Sequence, residues 1–95
     1  MSTIIDKAVE TLAAKVAGGF DGSAKFVING EGSILLDAQG VRAGDDDTDV
    51  TLTASADTFE GMMSGDVNPT MAFMSGKLKI DGSMSQAMKL ASLLG

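Results

Sequence analysis

Ile4, Ile5, Ala8, Val9, Leu12 and Val16 recur at i, i+3, i+4 spacing, which is one apolar stripe of an amphipathic helix over about residues 3–17. Thr3, with Asp6 three residues on, predicts the cap of that helix, and Gly18-Gly19 its stop. The period then falls to two. Ala24, Phe26 and Ile28 alternate with Lys25, Val27 and Asn29, and Ile34 and Leu36 alternate with Ser33, Leu35 and Asp37. Asn29-Gly30-Glu31-Gly32 between them predicts a hairpin turn, since Asn-Gly accepts the positive φ that such turns need. A second turn, Asp37-Ala38-Gln39-Gly40, leads to a short segment around Val41-Arg42-Ala43. Past an acidic stretch, Val50, Leu52 and Ala54 face one way and Thr51 and Thr53 the other, the alternation of a half-buried strand.

The second half of the chain is helical in period. Asp57-x-x-Glu60 predicts the start of a short helix that carries Phe59, Met62 and Met63 on one face and closes at Gly65. Asn68 as cap and Pro69 as first helical residue open another, which carries Met71, Phe73 and Met74 and ends at Gly76. Leu78 and Ile80 alternate with Lys77, Lys79 and Asp81 in a last strand. Ser83 then starts a terminal helix whose inner face is Met84, Ala87, Met88, Ala91 and Leu94. Strands grouped apart from helices predict an α+β fold, with helices packed on one face of a mostly antiparallel sheet. No repeat or linker interrupts the chain, so a single domain over residues 1–95 is expected.

Composition removes whole classes of chemistry. A chain of 95 residues and 9.7 kDa can bury about two thirds of its unfolded surface, enough for one core. Cys, His, Trp and Tyr are all absent, which eliminates disulfides, thiolate nucleophiles, imidazole bases and Cys/His zinc sites. Only a Ser-Lys pairing is left for nucleophilic catalysis, and Asp57 and Glu60 read as helix-start residues, so no enzyme activity and no cofactor are expected. A net charge of −6 opposes nucleic acid, whose affinity comes from Lys and Arg displacing counterions. Anionic membrane surfaces are disfavoured on the same ground, with Arg42, Lys77, Lys79 and Lys89 scattered along the chain. Asp45-Asp46-Asp47-Thr48-Asp49 lacks the spacing and distal Glu of a calcium loop, and Gly30-x-Gly32 precedes no helix; one reads as a solvated loop and the other as a turn. Met1 to Lys7 has no basic stretch ahead of an apolar run, and the longest such run, Met71-Ala72-Phe73-Met74, is far too short to span a bilayer. The expectation is a cytoplasmic protein with no integral membrane segment.

The stretch from Asn68-Pro69 through Phe73-Met74-Ser75-Gly76-Lys77-Leu78-Lys79-Ile80 to Met84, with Ala87-Met88-Lys89-Leu90 after it, closely resembles the sterol carrier protein-2 family of small lipid-binding domains. The order of Gly18-Gly19-Phe20, the Phe26/Ile28 hairpin, Asp49-Val50-Thr51-Leu52-Thr53 and Phe59-x-x-Met62-Met63 extends the resemblance across the chain, most specifically after residue 49. It implies a five-stranded sheet covered by helices, with an apolar tunnel between them for fatty acids, fatty acyl-CoA or sterols, carried and not transformed. Two features depart from the family. Ser33-Ile34-Leu35-Leu36 lacks the tryptophan of many relatives, and Leu93-Leu94-Gly95 is not a Ser-Lys-Leu peroxisomal address.

Of the seven methionines, all but Met1 follow residue 61, and Met is unbranched, polarizable and able to repack around guests of different shape. At helical spacing such residues are ordinarily core filler. Joined to the resemblance, they point to a lipid wall formed by Phe26, Ile28, Ile34, Leu36 and Leu52 of the sheet, Phe59, Met62, Met63, Met71 and Met74 of the short helices, and Met84 and Met88 of the last. Leu78 and Ile80 are expected either there or beneath the first helix. An empty void of roughly 300 Å³ would cost about 7 kcal/mol, comparable to the stability of a whole small domain. The site should therefore hold a co-purified acyl chain or be partly collapsed. A second reading is a protein-interaction or dimerisation module that uses the Met-rich helical face, so the expected state is a monomer or weak homodimer.

Overall fold

The computed structural model describes residues 3–16 and 19–94, the side chain of Leu94 excepted. Its elements are α1 (Thr3–Lys15), β1 (Ala24–Ile28), β2 (Gly32–Asp37), β3 (Gly40–Ala43), β4 (Val50–Ala54), α2 (Ala56–Ser64), α3 (Pro69–Met74), β5 (Leu78–Gly82) and α4 (Met84–Leu94). Thr3 is already helical and so does not cap α1 from outside, while Gly18 of the expected stop lies outside the described residues. The Asn-Gly hairpin forms as its sequence predicts: Gly30 takes φ 78°, and the Glu31 amide donates to the Ile28 carbonyl at 2.9 Å.

The strands make one sheet in the order β3-β2-β1-β4-β5. Three pairings are antiparallel and one, β1 with β4, is parallel, so the sheet is mixed and mostly antiparallel. Register puts Phe26 opposite both Ile34 and Leu52, and Leu52 in turn opposite Ile80. One face of the sheet is therefore a continuous apolar floor. Ile5 and Leu12 of α1, Phe59 and Met62 of α2, Ala72 of α3 and Leu90 of α4 join that floor in a single core, so all four helices cover the same side. They divide it between them. α1 packs over β2 and β3, whereas α4 lies over β4 and β5, and α3 packs on β5.

The opposite face is not bare. Leu35 points outward by alternation yet is 4% exposed, because the acidic loop after β3 folds across it: a Cβ on Gly44 would sit 2.7 Å from Leu35 Cδ1. Lys25 donates to Asp45 at 2.8 Å, Ser33 Oγ to the Gly44 carbonyl at 2.7 Å, and the Asp49 amide to Ser23 Oγ at 2.9 Å. The acidic run is a loop with Asp45, Asp46 and Asp47 exposed, as expected, and it is also a strap, anchored along the outer face while it carries the chain from the β3 edge to β4. The hydrogen bond that Lys25 donates to Asp45 raises the Lys25 pKa above its ordinary value.

At the neighbouring turn Arg42 grips Asp37 with two hydrogen bonds, of 3.1 and 2.8 Å, and the Gln39 amide donates to the same carboxylate. The Arg42 guanidinium, and after it the Gln39 amide, hold the Asp37 pKa below the usual carboxylate value. A carboxylate depressed on folding stabilises the fold above its unfolded pKa and loses that contribution as pH falls through the folded one. Asp37→Asn should therefore lower the urea midpoint slightly at neutral pH, and the gap to the parent should close as pH drops below the usual carboxylate range. A gap that persists into strong acid would rule out this ion pair as its cause.

Candidate functional site

The half of the inner face under α3 and α4 holds an apolar pocket of about 260 Å³. Its floor is Phe26 of β1, Leu52 of β4 and Leu78 and Ile80 of β5, neighbours by register across three strands. Met62 reaches it from α2. The Phe59 ring stands edge-on to Phe26, with centroids 5.3 Å apart, and holds the floor from behind. One wall is Pro69, Thr70, Phe73 and Met74 of α3; the other is Met84, Ala87, Met88 and Ala91 of α4.

Both walls are fixed by local chemistry. Asn68 caps α3, its side-chain oxygen accepting from the amides of Thr70 at 2.8 Å and Met71 at 3.2 Å, with Pro69 pre-set as the first helical residue. Ser83 caps α4 by accepting from the Gln86 amide at 3.3 Å, and its own amide donates to the Asp49 carbonyl at 2.9 Å, tying the start of the helix to the start of β4. That approach requires Gly82: its φ is 104°, and a Cβ there would run into the Asp49 carbonyl oxygen. α2 is capped by Ser55, which accepts from the Thr58 amide at 3.2 Å. Asp57, expected to open this helix, instead lies in its first turn.

Thr70 supplies the sole polar side chain of the lining, and no lining residue is titratable. Nothing in the pocket can hold or move a proton near neutral pH; what it offers is burial. Among the described residues no group of three His, Cys, Asp or Glu is placed to hold a metal ion, and no helix is long and apolar enough to cross a membrane.

Of the residues the sequence assigns to a lipid wall, Phe26, Leu52, Met62, Met74, Met84 and Met88 line the pocket. Ile28, Ile34 and Leu36 do not: they are buried on the β1–β2 side of the core, where α1 lies over β2. Phe59 stands behind the floor, and it and Met63 border a separate groove between α1 and α2. Met71 points into water, 62% exposed, on the outer side of α3. Leu78 and Ile80 sit in the pocket and not beneath α1, because β5 is the sheet edge furthest from the strands that α1 covers. Leu90 was not anticipated as an inner-face residue, yet it is the fully buried anchor of α4, while Met84 and Met88 are rotated to the pocket rim at 46% and 55% exposure. Leu94, expected on that face, has a side chain outside those described. The rim stands open to solvent at Met74, Met84 and Met88.

Fold and pocket together define a small α+β domain with an apolar cavity between its sheet and its last two helices. Residues 3–95 match the SCP-2 sterol transfer family, and the chain belongs to it. A hydroxysteroid dehydrogenase-like protein 2 of Xenopus tropicalis is 42% identical over 98 residues, covering 94% of this chain and 24% of that protein. The chain thus spans about a quarter of that relative's length. The sterol carrier protein domain 2 of Helicoverpa armigera is 33% identical with a TM-score of 0.63, covering 94% of this chain and 72% of that one. The sterol carrier protein-2 of Aedes aegypti, solved in complex with C16 fatty acid (palmitate), superposes with a TM-score of 0.80 over 100% of this chain and 97% of that one at 20% identity, a likeness of fold alone.

Proposed function

We propose that this domain is a non-enzymatic lipid carrier that takes the hydrocarbon chain of a fatty acid or fatty acyl-CoA into the pocket between α3, α4 and β5. The observation that carries the reading is a cavity of about 260 Å³ lined by apolar side chains with Thr70 as the one polar exception. A dry cavity of about 150 Å³ holds one benzene, so this pocket seats about ten carbons, the inner part of a long acyl chain. A rigid sterol nucleus would need the rim to open, whereas a flexible chain can thread between the methionines; a sterol-like guest is the second choice. Were the rim to close over it empty and dry, the pocket would cost about 6 kcal/mol, a large share of a small domain's stability. A guest, or inward collapse of Met74, Met84 and Met88, removes that cost.

Each methylene seated should contribute about 0.8 kcal/mol, about fourfold in affinity. Titration calorimetry with fatty acids of increasing length should therefore show affinity climbing about fourfold per methylene and levelling off once about ten carbons are seated. Native mass spectrometry of the purified protein should find an acyl chain bound. No bound lipid, together with affinity indifferent to chain length, would overturn the proposal. The interaction-module reading draws on the exposure of Met71, Met74 and Met88; a lipid-free dimer in light scattering would favour it instead.

A further inference from the structure

β5 serves two cavities, one on each side of the sheet. Leu78 and Ile80 point inward as floor of the apolar pocket, whereas Lys77 and Lys79, which alternate with them, line a polar pocket of about 280 Å³ on the outer side. Asn29 at the end of β1, Thr53 of β4, and Ser55 and Thr58 at the start of α2 complete its polar side chains, and no acid lines it. Register sets Thr53 opposite Lys79. The Ser55 hydroxyl donates to that of Thr58 at 3.0 Å, which leaves the Thr58 hydroxyl proton to give. Among the described residues the side chains of Asn29, Thr53, Lys77 and Lys79 make no hydrogen bond or ion pair. Two cations without an anion, beside hydroxyl and amide donors without an acceptor, are what a phosphate group requires.

The free edge of the sheet connects this pocket with the apolar one. β5 has no strand beyond it. Met74, which ends α3, and Met84, which begins α4, stand on the apolar rim at the two ends of β5, with the half-buried Ile80 between them. A head group that leaves the apolar pocket over this edge turns onto Lys77 and Lys79. The acidic strap shares the outer face but is remote from them: register puts its anchor, Lys25, two strands and two residues from Lys79, about 12 Å at ordinary sheet spacings. Screening acts over about 8 Å at physiological salt. Asp57 of α2 and Asp81 of β5 are close in sequence to the site but do not line it.

We infer that the polar pocket takes the phosphates of a fatty acyl-CoA whose acyl chain lies in the apolar one, so that a single ligand wraps the edge of β5. This rests on the carrier reading and narrows its ligand from the free acid to the thioester. The pantetheine arm sets thioester and diphosphate further apart than the roughly 10 Å that a sheet layer occupies, so one molecule reaches both sides. A free fatty acid brings no phosphate. In a phospholipid the phosphate is only a glycerol unit from the chain, too near it to round the strand. The lysines act as point charges on flexible stems, which suits a diphosphate arriving on a flexible arm.

Calorimetric titration of the parent and of the double variant Lys77→Gln/Lys79→Gln with decanoyl-CoA, decanoic acid, decanoyl lysophosphatidate and CoA itself tests this. Neither lysine lines the apolar pocket. The parent should hold decanoyl-CoA at least about tenfold tighter than decanoic acid, and the double variant should lose about that tenfold. High salt should erase the difference. The variant should bind the acid and the lysophosphatidate within about twofold of the parent, and CoA alone should bind weakly through the same lysines. Lys7→Gln/Lys15→Gln on α1 should leave every affinity as in the parent. Three results each contradict the inference: a double variant with the parent's affinity for decanoyl-CoA, a parent that holds decanoyl-CoA no tighter than the acid, or a lysophosphatidate that loses as much as the CoA ester. CoA held by the parent and released by the double variant, in a protein that takes up no acyl ligand, would uphold the phosphate site and refute the carrier reading.

Discussion

Ala91→Phe should give a protein that is more stable than the parent and almost unable to take up a fatty acid. Ala91 lies on the last turns of α4 with its methyl group at the pocket, half-buried, so a larger side chain there grows into existing space and not into packed atoms. A phenyl ring needs about the 150 Å³ that holds a benzene, more than half of the 260 Å³ present. Filling a void in this way commonly raises stability by about 1–2 kcal/mol. The same ring displaces about six of the carbons that a guest would seat, close to 5 kcal/mol of burial, so affinity should fall by at least about a thousandfold. Urea unfolding and calorimetry on one sample read both quantities. Because the two effects have opposite signs, misfolding cannot imitate the result; binding that survives would place the guest elsewhere.

Gly82→Ala is expected to do the reverse and damage the fold through a single methyl group. At φ 104° an alanine is strained by about 1–3 kcal/mol, and its Cβ meets the Asp49 carbonyl oxygen and, at 3.1 Å, Val50 Cα. Backbone cannot step aside as a side-chain tip can, so overpacking adds about as much again. The expected loss is about 3 kcal/mol or more, with the Ser83–Asp49 hydrogen bond and the seating of α4 on β4 lost first. A urea midpoint within a few tenths of a molar unit of the parent's would show that the β5–α4 junction yields more easily than its geometry implies.

What could be read from residues alone follows from the range of the interaction that decides each element. The β4 alternation, the Asn-Gly hairpin, the Asn68-Pro69 cap and the Ser83 start are local, set by neighbours within four residues, and all of them formed. Membership of the family was also legible, because the stretch after residue 49 carries side chains and caps in a fixed order. The wall of the pocket was legible only by half. A helical stripe gives the angular order of Met84, Ala87, Met88, Leu90 and Ala91 but not which of them meets the sheet. That rotation is fixed by Leu90 sinking into the core and by the Ser83 anchor on β4. The parallel β1–β4 pairing, which joins residues 26 positions apart, places β5 at one edge and α1 over the other; no local spacing announces it. For that reason Ile28, Ile34 and Leu36 looked equivalent to Phe26 and Leu52 in sequence, yet they serve a different helix. Leu35 fails by the same logic: strand period sends it to water, and the strap that covers it arrives from another part of the chain.

The division of the inner face between α1 on one side and α3 with α4 on the other means that the protein need not loosen as a whole to admit a guest. α1, β2 and β3 share their own half of the core, whereas β5 joins the sheet through β4 alone and packs with α3 and α4. On the proposed carrier function, a loaded molecule should then be sturdier than an empty one chiefly in its last third.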